Sequence, residues 1–376
     1  MLLRAICAFI LLGILVAGLW PFHAPRNQVT WSSHDRGLFF GKYGSIVSAG
    51  PFSAKPGRAD NSCAIEIWLE PKRVHSSGTI LALYRADSQV TPLALRQSLG
   101  DLVLIDASQN ELDQTKKVKI YVDDILSYQK PVLVTISSNQ STTAIFADGT
   151  LLKRFANFKI SSQDLTGRLI VGNSPTTTDE WSGKLRGLAI YDRELTTDEA
   201  AQHYSNWISG KRPDLGQSGG AIGLYLFNEG SGDVAHNLID SATDLLIPKR
   251  FFVLHQQLLE RPWDEFRPDW NYWKDVGINV AGFVPLGFFF YAYFSLGQQI
   301  EHPAALTIIL GFAVSLTIEV LQAFLPTRDS GMTDLITNTL GTAVGVLAFR
   351  HKALQGWSQS FWIFRSGQLV QNSSKN

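Results

Sequence analysis

The chain has 376 residues, enough for two or three domains, and its 33 Lys and Arg residues balance 33 Asp and Glu residues to a formal net charge of +0. That balance argues against a nucleic-acid binder, which needs a basic surface to displace counterions. Two cysteines, Cys7 and Cys63, are too few for a disulfide scaffold or a thiolate zinc site, and both read as unpaired. The average charge hides a bipartite chain: residues 276–349 hold only five charged side chains, Glu301, Glu319, Arg328, Asp329 and Asp334. In chain order, residues 1–22 come first. Arg4 precedes an uncharged apolar run over 5–22 that contains Trp20-Pro21. This reads as a signal anchor forming the first transmembrane helix, or as a signal peptide cleaved near Val16-Ala17-Gly18. On either reading the chain after it leaves the cytoplasm.

Residues 30–250 read as all-β. Apolar runs with period-two alternation recur at Ala64–Leu69, Thr79–Leu83, Leu102–Ile105, Val118–Val122, Val132–Ile136, Thr143–Phe146, Arg168–Val171 and Leu185–Ile190. Turn residues separate them, and Asp148-Gly149 is a hairpin signal. Many short strands with regular turns predict a sandwich. A strand at Leu188–Tyr191 runs into Asp192-Arg193-Glu194-Leu195 and then a short helix, capped at Thr196 or Thr197 with Glu199 near its third position. Cys63–Pro71, the stretch Val132–Leu152 and Trp181–Glu199 together resemble the laminin-G-like, concanavalin-A-like jelly roll. Gly223–Gly232 resembles the strand that usually opens this module, here placed last, which sets the domain boundary near 250. The resemblance implies a module that binds an envelope polysaccharide or a protein, in some cases with calcium. Asp123, Asp124 and Asp148 are the acids open to a calcium role, without a ligand spacing of their own.

Glu66, Trp68 and Glu70 share one strand face, where some glycosidases of this fold carry Glu-x-Asp-x-Glu. Against a hydrolase, Trp68 occupies the middle acid's place. On a regular strand i and i+4 also lie roughly 13 Å apart, too far for a carboxylate pair. The plainer expectation is that Ile65, Ile67 and Leu69 face the core while both glutamates face water.

Residues 251–274 place Phe251, Leu254, Leu258 and Pro262 at helical spacing and then crowd Trp263, Phe266, Trp270, Tyr272 and Trp273 before the next apolar stretch. This predicts an interfacial amphipathic segment ending in an aromatic belt. Within residues 275–350, Val276–Leu296, Ala304–Leu325 and Gly331–Phe349 are each long enough to cross a bilayer. Pro303 suits a helix's first turn, and Leu325-Pro326 with Arg328–Gly331 forms a turn. The expected whole is a β-sandwich plus an α-helical bundle of about four spans. Arg4 before the first span and Arg350-His351-Lys352 after the last place both termini in the cytoplasm by the positive-inside rule, with 351–376 as a cytoplasmic tail. The protein is then multi-pass in the cell membrane with its β module extracytoplasmic. Its partners are the lipid bilayer and an envelope ligand, and oligomers are possible.

On that topology Asp275, Asn279, Glu319, Gln322, Arg328, Asp329, Asp334 and Asn338 all fall at one membrane face, and the helical pairs among them obey i to i+3 or i to i+4 spacing. Ionisable groups at membrane depth are costly and normally face the bundle interior. Asp275-x-x-x-Asn279-x-x-Gly282 reappears as Asp334-x-x-x-Asn338-x-x-Gly341, two parallel spans whose glycines would permit close helix approach. Asn279–Gly287, Ser315–Gln322 and Arg328–Gly341 resemble the VanZ-like membrane family, over residues 275–349. The resemblance implies a bacterial envelope membrane and defines no reaction. It also makes the N-terminal span the family's first, with the β module inserted after it. Three readings follow. The cluster contacts lipid or a lipid-linked envelope precursor; or Glu319 acts as acid or base while Arg328 binds a phosphate-bearing headgroup; or the polar side chains form an interhelical network without a ligand. No metal is implied at the cluster.

Overall fold

The computed structural model describes residues 1–33, 35–53, 61–107, 118–210, 220–266 and 268–351. The tail expected at 351–376 lies outside them beyond His351. The chain divides into a β unit, Ala24–His255, and a helical unit made of Met1–His23 and Gln256–Asn376.

The β unit is a sandwich of two antiparallel sheets. In the first, the order is Val29–Trp31, Leu38–Phe40, Gly183–Tyr191, Cys63–Pro71, Val132–Ser138, Thr143–Ala147 and Thr150–Phe155, with Ala221–Tyr225 paired to the far half of Gly183–Tyr191. In the second, Val234–Ala235, Leu245–Leu246, Ile46–Ser48, Arg168–Val171, Ser77–Arg85, Val90–Ser98, Asp101–Asp106 and Val118–Val122 follow one another. Every run read from alternation lies inside one of these strands. Ile65, Ile67 and Leu69 meet Leu81, Leu83, Leu93 and Leu95 in the core between the sheets. The Asp148-Gly149 hairpin forms, both residues taking the left-handed φ (50° and 75°) that a two-residue loop with the strands' own twist requires. Asp148 Oδ1 also accepts the Leu133 N–H at 2.9 Å. The late strand forms over Ala221–Tyr225 and joins the sheet by pairing with Gly183–Tyr191, while residues 226–232 form no strand. The unit's two ends meet as well: Asn27 N–H donates to Lys249 C=O (3.2 Å) and Phe251 N–H to Pro25 C=O (3.0 Å). Cys7 and Cys63 are both free thiols.

The helical unit and the β unit together carry six α-helices among the described residues: α1 (Leu2–Leu19), α2 (Thr197–Ile208, in the β unit), α3 (Pro262–Glu265), α4 (Trp270–Ala292), α5 (Pro303–Gln322) and α6 (Met332–Arg350). Four are long and apolar enough to cross a membrane: α1, α4 with its π-helical continuation to Gly297, α5 and α6. The helical spacing read over 251–262 forms no helix. Phe251 instead is buried in the β unit, 1 % exposed, and residues 256–261 bend, with Leu259 at a left-handed φ of 52°, where Glu260 bridges to Gly331 in the α5–α6 connection. There the Gln256 side-chain amide donates to the carbonyls of Gln322 (3.0 Å), Leu325 (2.7 Å) and Arg328 (2.6 Å). Those include the last carbonyl of α5, which also accepts the Leu325 N–H at 2.8 Å. Asp269 caps α4 by accepting Tyr272 N–H at 2.8 Å, so the helix starts before residue 275.

α1 packs Ile10, Leu11, Ile14, Leu15 and Leu19 against Phe283, Leu286, Val314 and Ile318 of α4 and α5. α4 and α6 approach closely because glycines remove the side chains between them. A Cβ at Gly341 would lie 2.2 Å from Val280 O, at Gly345 2.2 Å from Val284 O, and at Gly287 2.0 Å from Thr342 O. The repeat pairing Gly282 with Gly341 therefore does not extend to packing, since nothing lies within 4 Å of a Cβ at Gly282. The two glycines should respond oppositely to alanine. Gly345→Ala should destabilise the bundle by ~1–3 kcal/mol through overpacking, whereas Gly282→Ala should be neutral or stabilise by up to ~1 kcal/mol through helix propensity. Thermal unfolding of the two variants in detergent measures this, and equal melting temperatures would contradict the packing.

Candidate functional site

α6 begins at Gly331, whose lack of a side chain leaves the helix without a cap of its own. Two carboxylates from elsewhere satisfy its first amides. Glu319, near the end of α5, accepts the Gly331 N–H on Oε2 at 2.9 Å, and Glu265, from α3, accepts the Thr333 N–H on Oε2 at 3.1 Å. The positive end of the α6 dipole favours both. A Cβ at Gly331 would fall 1.5 Å from Glu265 Oε1, so a larger residue there would displace that carboxylate. Asp334, in the first turn of α6, accepts from Asn279 Nδ2 at 2.7 Å and so joins α6 to α4. One turn on, Asn338 Nδ2 donates to Ser315 Oγ of α5 at 3.0 Å.

These groups surround a cavity of about 710 Å³ in the helical unit, at the end where α1 and α5 finish and α4 and α6 start. That volume is in the range of small-ligand sites. Asp275, Asn279, Glu319, Gln322, Arg328, Asp329, Asp334 and Asn338 all line it. Glu319 is only 1 % exposed. Gln322 donates Nε2–H to Gly18 C=O of α1 at 2.8 Å. Arg328 does not pair with Glu319: its Nε donates to Trp20 C=O at 3.0 Å and its Nη2 donates to the same oxygen. The interhelical network expected as the ligand-free alternative is thus present, but it frames a cavity and leaves Gln322 Oε1 and Asn338 Oδ1 buried without partners.

The sequence reading missed the contributions of Glu260, Glu265 and Asp269, which also line the cavity. They sit in the segment read as an amphipathic linker, where aromatic crowding drew attention from the acids. A usable signal was present, since Pro262-Trp263-Asp264-Glu265 has the proline-first, acid-following pattern of a helix start.

In the β unit the structure corrects the placement of Glu66. It is fully buried, not solvent-facing, because α2 folds back over the outer face of its strand. α2 starts with a complete capping box: Glu199 N–H donates to Thr196 Oγ1 (3.2 Å) and Thr196 N–H to Glu199 Oε2 (2.8 Å). It presents His203 and Trp207, four residues apart and on one helix face. Glu66 accepts from Tyr191 Oη (3.0 Å), Trp207 Nε1 (3.3 Å) and Thr135 Oγ1 (3.5 Å) and meets His203 Nδ1 at 3.0 Å. Gly187 makes room for the Trp207 ring, since a Cβ there would lie 2.4 Å from Trp207 Cζ3. Glu70 pairs with Arg186 Nη2 at 2.7 Å. With Glu66 sealed beneath a helix, the two carboxylates cannot flank a glycosidic bond. Among the described residues, no three acidic, His or Cys side chains gather as a metal site. Asp148 is engaged in its hairpin, and Asp124 accepts from Ser127 Oγ at 2.8 Å in a turn.

Burial of His203 works against its protonation, but the hydrogen bond and charge of Glu66 outweigh it and raise its pKa above the ordinary value of 6.5. A raised folded pKa gives stability that is complete below the unfolded value and is lost as pH rises through the folded one. The sandwich should therefore melt at lower temperature as pH climbs above ~6.5, and His203→Gln should flatten that slope. Glu66→Ala, which strands the Tyr191 hydroxyl and Trp207 indole N–H, should cost ~3–5 kcal/mol. Near-ultraviolet circular dichroism melts of the full chain across pH 6–9 test both, and an unchanged slope in His203→Gln would rule out the linkage.

Residues 221–354 match the VanZ/LLP1 family model, and residues 47–201 match the concanavalin A-like lectin/glucanases superfamily model. The first match begins in the sandwich's late strand Ala221–Tyr225 and runs through α6. Among solved structures, the chain is similar to the receptor binding domain of botulinum neurotoxin D, at 15 % identity and TM-score 0.36 over 50 % of this chain and 47 % of that one. It is also similar to the heptameric SAP-like pentraxin from Limulus polyphemus, at 13 % identity and TM-score 0.35 over 60 % of this chain and 93 % of that one. The chain spans less than half the length of the toxin domains it matches. No curated protein matches the chain. The two family matches and four apolar helices make this a membrane protein with a VanZ-type helical region and a lectin-type β-sandwich.

Proposed function

We propose that the chain is a multi-pass protein of the bacterial cell-envelope membrane. Its sandwich binds an envelope polysaccharide or protein outside the cytoplasm, and its helical unit holds the headgroup of a lipid or lipid-linked envelope precursor. The observation that carries this reading is the cavity of about 710 Å³, framed by polar side chains from three apolar helices and the α5–α6 connection. A purely structural network has no reason to keep such a space, because ionisable groups at membrane depth are best closed on one another.

Topology supports the same reading. Arg4 lies in the first turn of α1, and Arg350 ends α6 with His351-Lys352 next in the sequence, which favours both termini inside. The sandwich lies between α1 and α4 in chain order, so a single first crossing supports its position outside the cytoplasm. The exposed rings of Trp263 in α3 and of Trp270 and Trp273 in the first turn of α4 suit a headgroup-level aromatic belt. Retention of α1 is part of the proposal, since Gly18 and Trp20 supply carbonyls to Gln322 and Arg328.

Cavity filling tests this reading without disturbing the packing. The full chain, extracted in mild detergent, should carry a co-purified polar lipid in native mass spectrometry, and its intact mass should include residues 2–19. Gly282→Leu, built into open space, should displace that lipid while leaving helix content unchanged, with any fall in melting temperature limited to the lost lipid stabilisation. Lipid retained at wild-type level in Gly282→Leu would refute a headgroup site, and a chain shortened near residue 18 would refute the retained helix.

A further inference from the structure

The charge of the cavity narrows its ligand, on the premise that it holds a headgroup. Among the described residues, seven carboxylate side chains line it against one cation, Arg328. Arg328 is already committed to Trp20 C=O through two of its nitrogens. The usual anion site in such a place is a helix N-terminus with open amides. Both helix starts at this cavity are closed to anions by the protein's own acids: Asp269 caps α4, while Glu319 and Glu265 hold the first amides of α6.

A second observation is independent of the acids. Gln322 is 7 % exposed, and the Gly18 carbonyl it contacts can only accept, so its amide nitrogen must face Gly18. Its Oε1 is therefore an acceptor by necessity. It is buried, has no partner, and belongs to a side chain lining the cavity. A buried acceptor of this kind costs free energy until a donor arrives. Among the described residues the site carries a strong excess of negative charge and of acceptors, and its lining amide donors at Asn279, Gln322 and Asn338 are already used within the protein.

We infer that the cavity binds a primary ammonium group, of the kind carried by an ethanolamine-type lipid headgroup, with Gln322 Oε1 accepting one N–H and Glu319, Asp334 and Asp275 supplying the countercharge. An ammonium offers three donors and a compact positive charge. A trimethylated ammonium offers charge without donors, and a glycerol headgroup offers neither an ammonium donor nor a positive charge. The chemistry is shared by free amines, so the source of the ammonium is a matter for the experiment.

The full chain in detergent is titrated with phosphatidylethanolamine, phosphatidylcholine, phosphatidylglycerol or free ethanolamine, and binding is followed by native mass spectrometry and by melting temperature. Phosphatidylethanolamine should bind at least about tenfold more tightly than phosphatidylglycerol, with phosphatidylcholine well below it. Gln322→Leu and the milder Asp275→Asn should each erode that preference, and Gly282→Leu should abolish binding of every lipid. Free ethanolamine matching the lipid's affinity assigns the site to a soluble amine and still supports an ammonium ligand. Phosphatidylglycerol binding as well as phosphatidylethanolamine, yet expelled by Gly282→Leu, would overturn the ammonium assignment and leave the headgroup reading standing. If no lipid responds to Gly282→Leu, the headgroup reading itself fails. A phosphatidylethanolamine preference unchanged in both Gln322→Leu and Asp275→Asn would overturn the proposed contacts.

Discussion

Inside a hydrocarbon layer a backbone N–H without a partner costs several kcal/mol, and α6 starts at a glycine that cannot cap it. Most of the helical unit's polar architecture follows from that one deficit. Glu319 reaches across from α5 and Glu265 from α3 to satisfy the first amides. Each reach ties an element to the same point, so α3, α5 and α6 converge there. Glycine at 331 is what allows the Glu265 carboxylate to lie against the backbone. The carboxylates that close the helix end also concentrate negative charge at one end of the bundle. The polar cavity and the cap are then two consequences of the same arrangement.

The β unit solves a comparable problem by the same means. Glu66 sits on a central strand under α2, and its carboxylate collects the Tyr191 hydroxyl, the Trp207 indole and the His203 ring. A carboxylate removed from water is tolerable only when its lone pairs are filled. Three aromatic donors on two elements do that while orienting α2 on the sheet. In both units a buried glutamate specifies where a helix docks. In the β unit the aromatic shell is closed and fully packed; in the helical unit the shell is incomplete and a space remains.

Local features were the most legible in the sequence. Strand periodicity located the sandwich because one face of each strand packs on the core, and the Asp148-Gly149 turn and Thr196–Glu199 box carry their geometry in two to four adjacent residues. The polar constellation was legible because charges in an apolar stretch stand out, and helical spacing assigns them a side. What could not be read were contacts set by tertiary docking. Glu66 looked like a water-facing residue because alternation says only which side of the sheet it occupies, not whether a helix covers that side. Helical spacing over 251–262 misled for a related reason: Phe251 is buried in the β unit and Gln256 is held by the carbonyls ending α5, so no helix forms between them. Arg328 reads in the sequence as a cation open to a phosphate-bearing headgroup, yet the carbonyl of Trp20 competes for its guanidinium.

That competition explains how a long insertion is accommodated after the first span. The last carbonyls of a helix have no intrahelical donors, and near a bilayer they need protein or water partners. Gln322 and Arg328 provide them at Gly18 and Trp20, fastening the end of α1 to α5 and its following turn. Ile318 packs on Gly18 so closely that a Cβ would lie 2.9 Å away, which keeps that end of α1 in register. The chain then leaves for some 230 residues, the β unit running from Ala24 to His255. It returns without loss of order because the unit zips its own entry and exit together at Asn27–Lys249 and Pro25–Phe251. An insertion whose ends are adjacent costs its host little more than a short loop, because loop-closure entropy depends on the separation the host must bridge. The helices can thus keep their polar cavity although the chain also carries an inserted domain of quite different architecture, since each unit secures its own chain ends.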